Sequence, residues 1–493
     1  MVNVRTEHPV VDAAIEEATV AEPPRGITMA ALVTALFGVG GFALGSGSLG
    51  DNSFLWHLRT GKLILDHGIP RSDPYSFTAA GTRWIAQSWL VELMYGALSR
   101  SIGDFGIRIA VGLASACVAV TLFRLALHAT GDRVRALALA VPALACSYTV
   151  RSERPLTFGL VLLGLLVFTV EVPQSWLGRH PRVVIPALMW VWVNVHGTFS
   201  LGFLYLLLSF VAVRLDGGSP LEGRARELLI GTAIAAVLVF VNPYGPSMVL
   251  FPAALMGRSH VLHNVGEWLA VDVHTLTGQL YALWVVITLV AFARSKPRRG
   301  DIVMSVVFLL LGWWAVRNIA IAVAVTIPIV GRCYRPAVPP SREQREATAS
   351  PLLVVLVVLV GLLLVARSVS APDFELKQRY PVATLAALDS QHRLGGRMLT
   401  TDAWAGYVIY EYWPQQHVFF DDRYDMYPVK MVDAYDKILN LDPGWDRLLD
   451  QYRINLIVWP KKGALVQGLA HLPGWTELRH DKVATVFVRT KPR

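Results

Sequence analysis

Three acids and four basic side chains stand where short polar stretches interrupt long apolar runs. The acids are Asp51, Asp73 and Glu92; the basic residues are Arg151, Arg154, His196 and Arg317. A carboxylate can take the proton of an attacking hydroxyl as a general base. Arg and His can meet the charge of a leaving phosphate, and the guanidinium fork suits phosphate oxygens. Together they supply the parts for group transfer from a phosphate-bearing donor. Each residue also has an ordinary structural reading. Asp51 follows Gly50 and precedes an apolar helical run, which suits a helix N-cap. Asp73 precedes Pro74 and suits a turn. Glu92 is either a cavity-facing acid or a solvated charge. The basic residues can snorkel, or pair with Glu153 or Glu267.

A second group consists of hydrogen-bonding residues. His57, Gln87, Asn194, Asn242, Tyr244, Glu267, Asn318, Asp421 and Arg423 are candidates to bind substrate hydroxyls or an acceptor. The asparagines can equally cap short helices, and Asp421 with Arg423 can fix a loop. His260, His263, Glu267 and His274 invite a metal reading, but no zinc motif is complete. No metal site and no cofactor are expected, with a divalent ion left open.

The elements that must position these residues are mostly membrane helices. The 493 residues are 54% hydrophobic and 16% charged, against about 25% charged in soluble chains. Mean hydropathy is +0.46. Apolar runs place spans at about 27–47, 105–127, 134–150, 156–171, 183–195, 198–213, 228–241, 278–293, 302–316, 318–331 and 351–368. That is a polytopic α-helical membrane protein of about eleven spans. The net charge of +9 lies mainly in short loops between runs, so it reads as orientation charge rather than nucleic-acid affinity. Alternate loops are basic, for example Arg124/Arg133/Arg135, Arg214/Arg224/Arg226 and Arg332/Arg335. The positive-inside rule puts these in the cytoplasm of an inner (plasma) membrane. The N-terminus is then inside, the first helix is expected to stay as an anchor, and the candidate residues face outward. Several spans are short: 13–15 residues reach roughly 20–22 Å, less than a hydrocarbon core of about 30 Å. Their polar tips are therefore expected to line an outward-opening cavity.

Three regions follow: a cytoplasmic tail over 1–26, a membrane domain over 27–369, and an extracytoplasmic α/β domain over 370–493. Within the membrane domain, 48–104 is a long first extracytoplasmic loop. Apolar spacing over 52–67 and 84–98 predicts two amphipathic helices at the membrane interface, with turn chemistry over 69–78 between them. In the C-terminal domain, 398–400, 408–410, 418–420, 454–459 and 484–488 read as strands. Helices are expected near 381–389, 429–439 and 463–471. The three cysteines all precede this domain, so it must fold without disulfides. The stretch 336–350 reads as a cytoplasmic linker.

The layout, a long first loop opening with Asp51 and carrying two amphipathic helices, resembles the GT-C superfamily of membrane glycosyltransferases. A closer resemblance is to a group of uncharacterised bacterial membrane proteins. It rests on Asp51…Trp56-His57-Leu58, Asp73-Pro74-Tyr75-Ser76-Phe77, Trp84…Gln87-Ser88-Trp89…Glu92, Arg154-Pro155, Asn194-Val195-His196-Gly197, Asn242-Pro243-Tyr244-Gly245 and Phe420-Asp421-Asp422-Arg423. One departure is Gln87-Ser88-Trp89, where a His or Gln followed by Glu is expected. If that missing acid is essential, Glu92 must serve. The resemblance implies transfer of a sugar from a polyprenyl-phosphate donor to a cell-envelope glycan, lipid or protein. Asp51, Asp73 and Glu92 would then be catalytic, and Arg151, Arg154, His196 and Arg317 would bind donor phosphate. Two alternatives stand beside it: a non-catalytic envelope-assembly scaffold, and a transporter or flippase of a lipid-linked intermediate. The latter predicts inverted repeats, and the sequence shows none.

Overall fold

The computed structural model describes residues 26–149, 152–262, 265–337, 347–370 and 379–490. Arg151, His263 and part of the 336–350 linker lie outside the described residues. The chain is mostly helical, with one small sheet.

Each expected span is a helix: α1 (Met29–Gly45), α4 (Asp104–Thr130), α5 (Arg133–Thr149), α6 (Leu156–Glu171), α7 (Pro181–Val195), α8 (Phe199–Leu215), α9 (Gly223–Leu238), α11 (Leu276–Arg294), α12 (Arg299–Trp314), α13 (Ile319–Cys333) and α14 (Pro351–Val369). A further short apolar helix, α10 (Pro246–Met256), was not expected. Four of the described helices are long and apolar enough to cross a bilayer: α4, α11, α14, and α13 extended back to Val316. The chain is a membrane protein on this basis, and several of its other apolar helices are short. Helix α13 is the centre of the bundle, buried at every residue from Ile319 to Gly331. Trp284 of α11 donates its indole N–H to Thr326 of α13 at 2.9 Å, so a polar group in this packed core is satisfied.

Two helices of the first loop stand apart from the bundle axis: α2 (Asn52–His67) and α3 (Trp89–Ile102). Helix α2 is covered by protein on both faces. Ten of its residues are buried, because α3 covers one face and the C-terminal domain the other. The α2–α3 contact is made backbone to backbone. A Cβ on Gly61 would lie 1.8 Å from the Glu92 carbonyl oxygen, and one on Gly96 2.4 Å from the Gly61 carbonyl carbon. Only glycine permits that approach. Helix α3 starts at Trp89, not Trp84; residues 84–88 run irregularly along its side.

The C-terminal domain comprises α15 (Val382–Ser390), β1 (Met398–Leu399), α16 (Asp402–Tyr412), α17 (Val429–Leu439), α18 (Trp445–Gln451), β2 (Leu456–Pro460), α19 (Ala464–Ala470), β3 (Trp475–His480) and β4 (Ala484–Arg489). The sheet order is β1-β2-β4-β3, with β1 parallel to β2 and the other pairs antiparallel. The predicted strand at 408–410 is part of α16. Thr401 caps that helix by accepting from the Trp404 N–H at 3.2 Å, and a cap of this kind fixes helix over strand. Residues 418–420 contribute only isolated bridges, Val418 to Ser76 and to Met398.

Those bridges join loop and domain. Phe77 N–H donates to the Val418 carbonyl at 3.1 Å, and Val418 N–H to the Tyr75 carbonyl at 3.2 Å. The Trp413 indole donates to the Pro74 carbonyl at 2.8 Å, and Arg59 lies over the Trp413 ring. Gly406 of α16 meets the first turn of α2, where a Cβ would stand 2.2 Å from the Asn52 carbonyl oxygen. Loop and domain therefore pack as one body.

Candidate active site

A cavity of about 510 Å³ opens between the bundle, the first loop and the C-terminal domain. The first turns of α2 supply Asp51, Asn52, Trp56 and His57. The 84–88 segment and α3 supply Gln87 and Glu92. The turn before α6 supplies Arg154, and the end of α7 supplies His196. The helical turns Gly266–Trp268 and Val316–Asn318 supply Glu267 and Arg317. Three of the four expected phosphate contacts thus converge with Asp51 on one space; Arg151 is not among the described residues.

Asp51 is a helix cap that also lines the cavity. As N-cap of α2, its Oδ1 accepts from the Phe54 N–H at 3.1 Å. The same oxygen accepts from Arg154 Nε at 2.8 Å. Oδ2 makes no hydrogen bond among the described residues, which leaves one carboxylate oxygen for a substrate proton.

The bases form a chain across the cavity. Arg154 Nη1 donates to Glu267 Oε2 at 3.1 Å, and Arg317 Nη1 to Glu267 Oε1 at 3.0 Å. Arg317 Nη2 lies 3.3 Å from His196 Nε2, and its guanidinium lies over the Trp268 ring. Burial and the neighbouring Arg317 push His196 well below the ordinary imidazole range; its Nδ1 accepts from the Thr198 N–H at 3.2 Å, so the neutral ring carries its proton on Nε2, facing the cavity side. Burial works to raise the Glu267 carboxyl, but Arg317 and Arg154 outweigh it and hold it below its usual range. Two guanidiniums sharing one carboxylate is an arrangement with spare donors for a further anion.

Glu92 and His57 form the second feature. The side chains are buried, with Glu92 Oε1 2.7 Å from His57 Nδ1, and Trp56 packs on the His57 ring at 3.6 Å. Burial pushes Glu92 up to about 8, with Arg423 pulling the other way. Burial, then Arg154, His196 and Arg423, push His57 well below its ordinary value. Burial thus favours the uncharged form of each group, a carboxylic acid beside a neutral imidazole sharing one hydrogen bond. Glu92 Oε2 is buried with no partner among the described residues.

Several sequence candidates lie elsewhere. Asp73 is buried behind the wall. It accepts from the Tyr75 and Ser76 N–H groups and the Ser76 hydroxyl, and from Arg423 Nη2 at 2.6 Å. Asp421 accepts from Arg423 Nε and Nη2 and from the Tyr427 hydroxyl. Arg423 itself is buried over the rings of Trp84 and Tyr75. These three residues bolt the domain to the loop and do not line the cavity. Asn194 accepts from the Trp89 indole at 2.9 Å and ties α3 to α7. Asn242 closes its own turn, accepting from the Tyr244 N–H and donating to the Val239 and Gly245 carbonyls. Tyr244 donates to the Pro70 carbonyl and accepts from Ala86 N–H. Asn318 donates to the Leu311 carbonyl. None of these four lines the cavity. His274 is exposed and pairs with Asp272. Among the described residues no group of three His, Cys, Asp or Glu stands close enough to hold a metal.

One residue was missed. Asp422 reaches into the cavity, accepting from Asn52 Nδ2 at 2.6 Å, the Ser53 hydroxyl at 2.5 Å and Trp56 Nε1 at 2.6 Å. Burial pushes its carboxyl up to about 7, against the pull of Arg154 and of the Ser53 hydroxyl. Its signal was alternation: outside helices, neighbouring side chains point to opposite sides. If Asp421 and Arg423 pair behind the wall, the residue between them faces the cavity.

No protein-family model matches the chain, and no curated protein does. Among solved structures it is similar to the Archaeoglobus fulgidus oligosaccharyltransferase in its apo form, at 11% identity and TM-score 0.49 over 87% of this chain and 69% of that one. It is similar to AglB of the same organism in complex with an inhibitory peptide and a dolichol-phosphate, at 12% identity and TM-score 0.47 over 87% and 68%. It is also similar to the mycobacterial arabinofuranosyltransferase AftD, at 12% identity and TM-score 0.49 over 93% of this chain and 41% of that one. Likenesses at this distance carry no residue role across.

Proposed function

We propose that the chain is a GT-C-type glycosyltransferase using a polyprenyl-phosphate-linked sugar at the extracytoplasmic face. One observation carries the reading: Asp51, with a carboxylate oxygen that has no partner among the described residues, stands on the same cavity as Arg154, Arg317 and His196. Groups that act on one substrate must share one space. In the reaction, an acceptor hydroxyl oxygen bonds to the anomeric carbon and its proton passes to Asp51 Oδ2. The bond from that carbon to the phosphate oxygen breaks, and the lipid phosphate leaves with the electron pair. Its charge is met by Arg154 and Arg317, which the Glu267 carboxylate holds in place. No step requires a metal. The acceptor is an envelope glycan, lipid or protein.

The test is envelope glycan composition in a deletion strain complemented with wild type or Asp51→Asn at matched protein levels. Restoration by wild type alone supports transfer at Asp51, and the missing sugar names the substrate class. Equal restoration by both removes Asp51 from the chemistry and favours a scaffold.

A further inference from the structure

A second cavity, of about 570 Å³, lies at the other end of the bundle. The helices themselves show the separation. Leu156 at the start of α6 lines the first cavity, and Glu171 at its end lines the second. Arg317 precedes α13 at the first cavity, and Arg332 near its end is at the second. Helices of 15 or 16 residues span roughly 22–24 Å, so the two cavities stand near opposite membrane faces.

The second cavity is amphipathic. Its inner wall includes Val170, Phe210, Val213, Leu228, Met304 and Ile329. Its charges fall into two classes. Arg332 is committed: Nη1 reaches Glu171 at 2.5 Å and Nη2 reaches Asp301 at 2.6 Å. Arg224 is committed to the carbonyls of Gly178 and Thr169. Asp216 accepts from the Gly300 N–H at the start of α12. Arg298 and Arg335 line the rim and are exposed, and their guanidinium groups have no hydrogen bond or ion pair among the described residues. The uncommitted charge is thus cationic, and Arg332 Nε is buried without a partner among the described residues. The outer faces of the flanking helices are apolar and open: Leu207, Val211 and Leu215 on α8, and Ile302 and Val306 on α12. These faces suit contact with lipid acyl chains beside the cavity.

We propose that this cavity binds the phosphate headgroup of an anionic phospholipid, with the first part of its chain against the apolar wall. A free phosphate shares the headgroup chemistry, but it leaves the apolar wall unused. Basic pockets between helices on the cytoplasmic side suit anionic headgroups, and this end carries the basic loops. The site is separate from the proposed catalysis and stands whether or not that reading holds.

The test uses the full chain in detergent, equilibrated with phosphatidylglycerol or phosphatidylcholine and read by native mass spectrometry. Wild type is expected to retain phosphatidylglycerol in preference. Arg298→Gln with Arg335→Gln is expected to lower that retention by roughly tenfold or more, with unchanged melting temperature. Met304→Trp, which fills the wall without touching charge, is expected to lower it too. Millimolar inorganic phosphate is expected to leave the bound lipid in place. Equal retention of both lipids, retention unaffected by either variant, or displacement by inorganic phosphate overturns the proposal.

Discussion

Asp51 can be separated into its two roles by choice of replacement. Asparagine caps helices about as well as aspartate, so Asp51→Asn preserves the hydrogen bond to the Phe54 N–H. It removes the proton acceptor and the charge facing Arg154. Alanine removes all three. The cap is worth about 1 kcal/mol. The Asp51–Arg154 pair is partly exposed, at 19% and 25% of the side-chain surfaces, and contributes about 1 kcal/mol after screening. Arg154 also keeps Glu267 as a partner. Asp51→Asn is therefore expected to cost about 1 kcal/mol, and Asp51→Ala about 2 kcal/mol. Against a folding free energy of about 5–15 kcal/mol, both variants stay folded.

Loss of a general base lowers the rate by about 10²–10⁴-fold, or roughly 3–5 kcal/mol in barrier. The stability cost is too small to imitate that. The assay is the initial rate of sugar transfer from a polyprenyl-phosphate donor, with membranes of the deletion strain as acceptor, beside thermal melting of the same preparations. Both variants are expected to lose rate equally while differing in stability. An Asp51→Asn rate within threefold of wild type would refute the reasoning, because the cap alone would then explain the residue.

Three further outcomes follow from burial. Glu92 titrates near 4.3 in an unfolded chain and at about 8 here. Between those values the folded chain holds a proton that the unfolded chain has released. Wild-type stability therefore falls as pH rises, by up to a few kcal/mol. Glu92→Gln lacks this penalty and is expected to gain on wild type as pH rises from about 4.5 to about 8; a constant melting difference would count against it. Arg423→Met leaves Asp73 and Asp421 buried and unpaired, and is expected to cost about 3–5 kcal/mol. Lys is not expected to rescue it, since one ammonium cannot reproduce the Nε and Nη2 fork on Asp421 while also reaching Asp73; full thermal stability of the Lys variant would remove that argument. Gly61→Ala places a methyl 1.8 Å from the Glu92 carbonyl oxygen and is expected to cost about 2 kcal/mol or more. Gly47→Ala, where a Cβ meets nothing within 4 Å, is the silent control.

The helices of the bundle were legible because long apolar runs report themselves without reference to the rest of the fold. The C-terminal domain was less so. Val408-Ile409-Tyr410 is a triplet of two β-branched residues and an aromatic inside α16, and a short apolar run has no period to read. Strand β3 was missed for the opposite reason: Trp475–His480 is a sheet-edge strand with polar side chains and only partial burial. The burial of α2 was also hidden, because its second covering face comes from residues more than 300 positions later. In the site, the convergence of Asp51, Arg154, His196 and Arg317 on one cavity was expected from polar residues between apolar helices, whereas Glu267, a candidate for sugar binding, pairs with Arg154 and Arg317 instead. The asparagines were not separable. Asn194, Asn242 and Asn318 close turns and tie helices through short-range bonds, and a sequence shows the same residue in either use.

The segment Asp421-Asp422-Arg423 shows where loop and domain become one machine. Asp421 and Arg423 face inward and join Asp73 of the first loop through a buried guanidinium. Asp422, on the other side, takes hydrogen bonds from Asn52, Ser53 and Trp56 in the first turns of α2. Those turns begin at Asp51. The domain therefore bears on the proposed base twice. It clamps the loop that carries α2, and it holds the start of α2 from the cavity side. A geometry held from both sides keeps the Asp51 oxygen oriented without reorganisation at the moment of reaction. On this argument the C-terminal domain is a wall of the site and not an appendage to the membrane bundle.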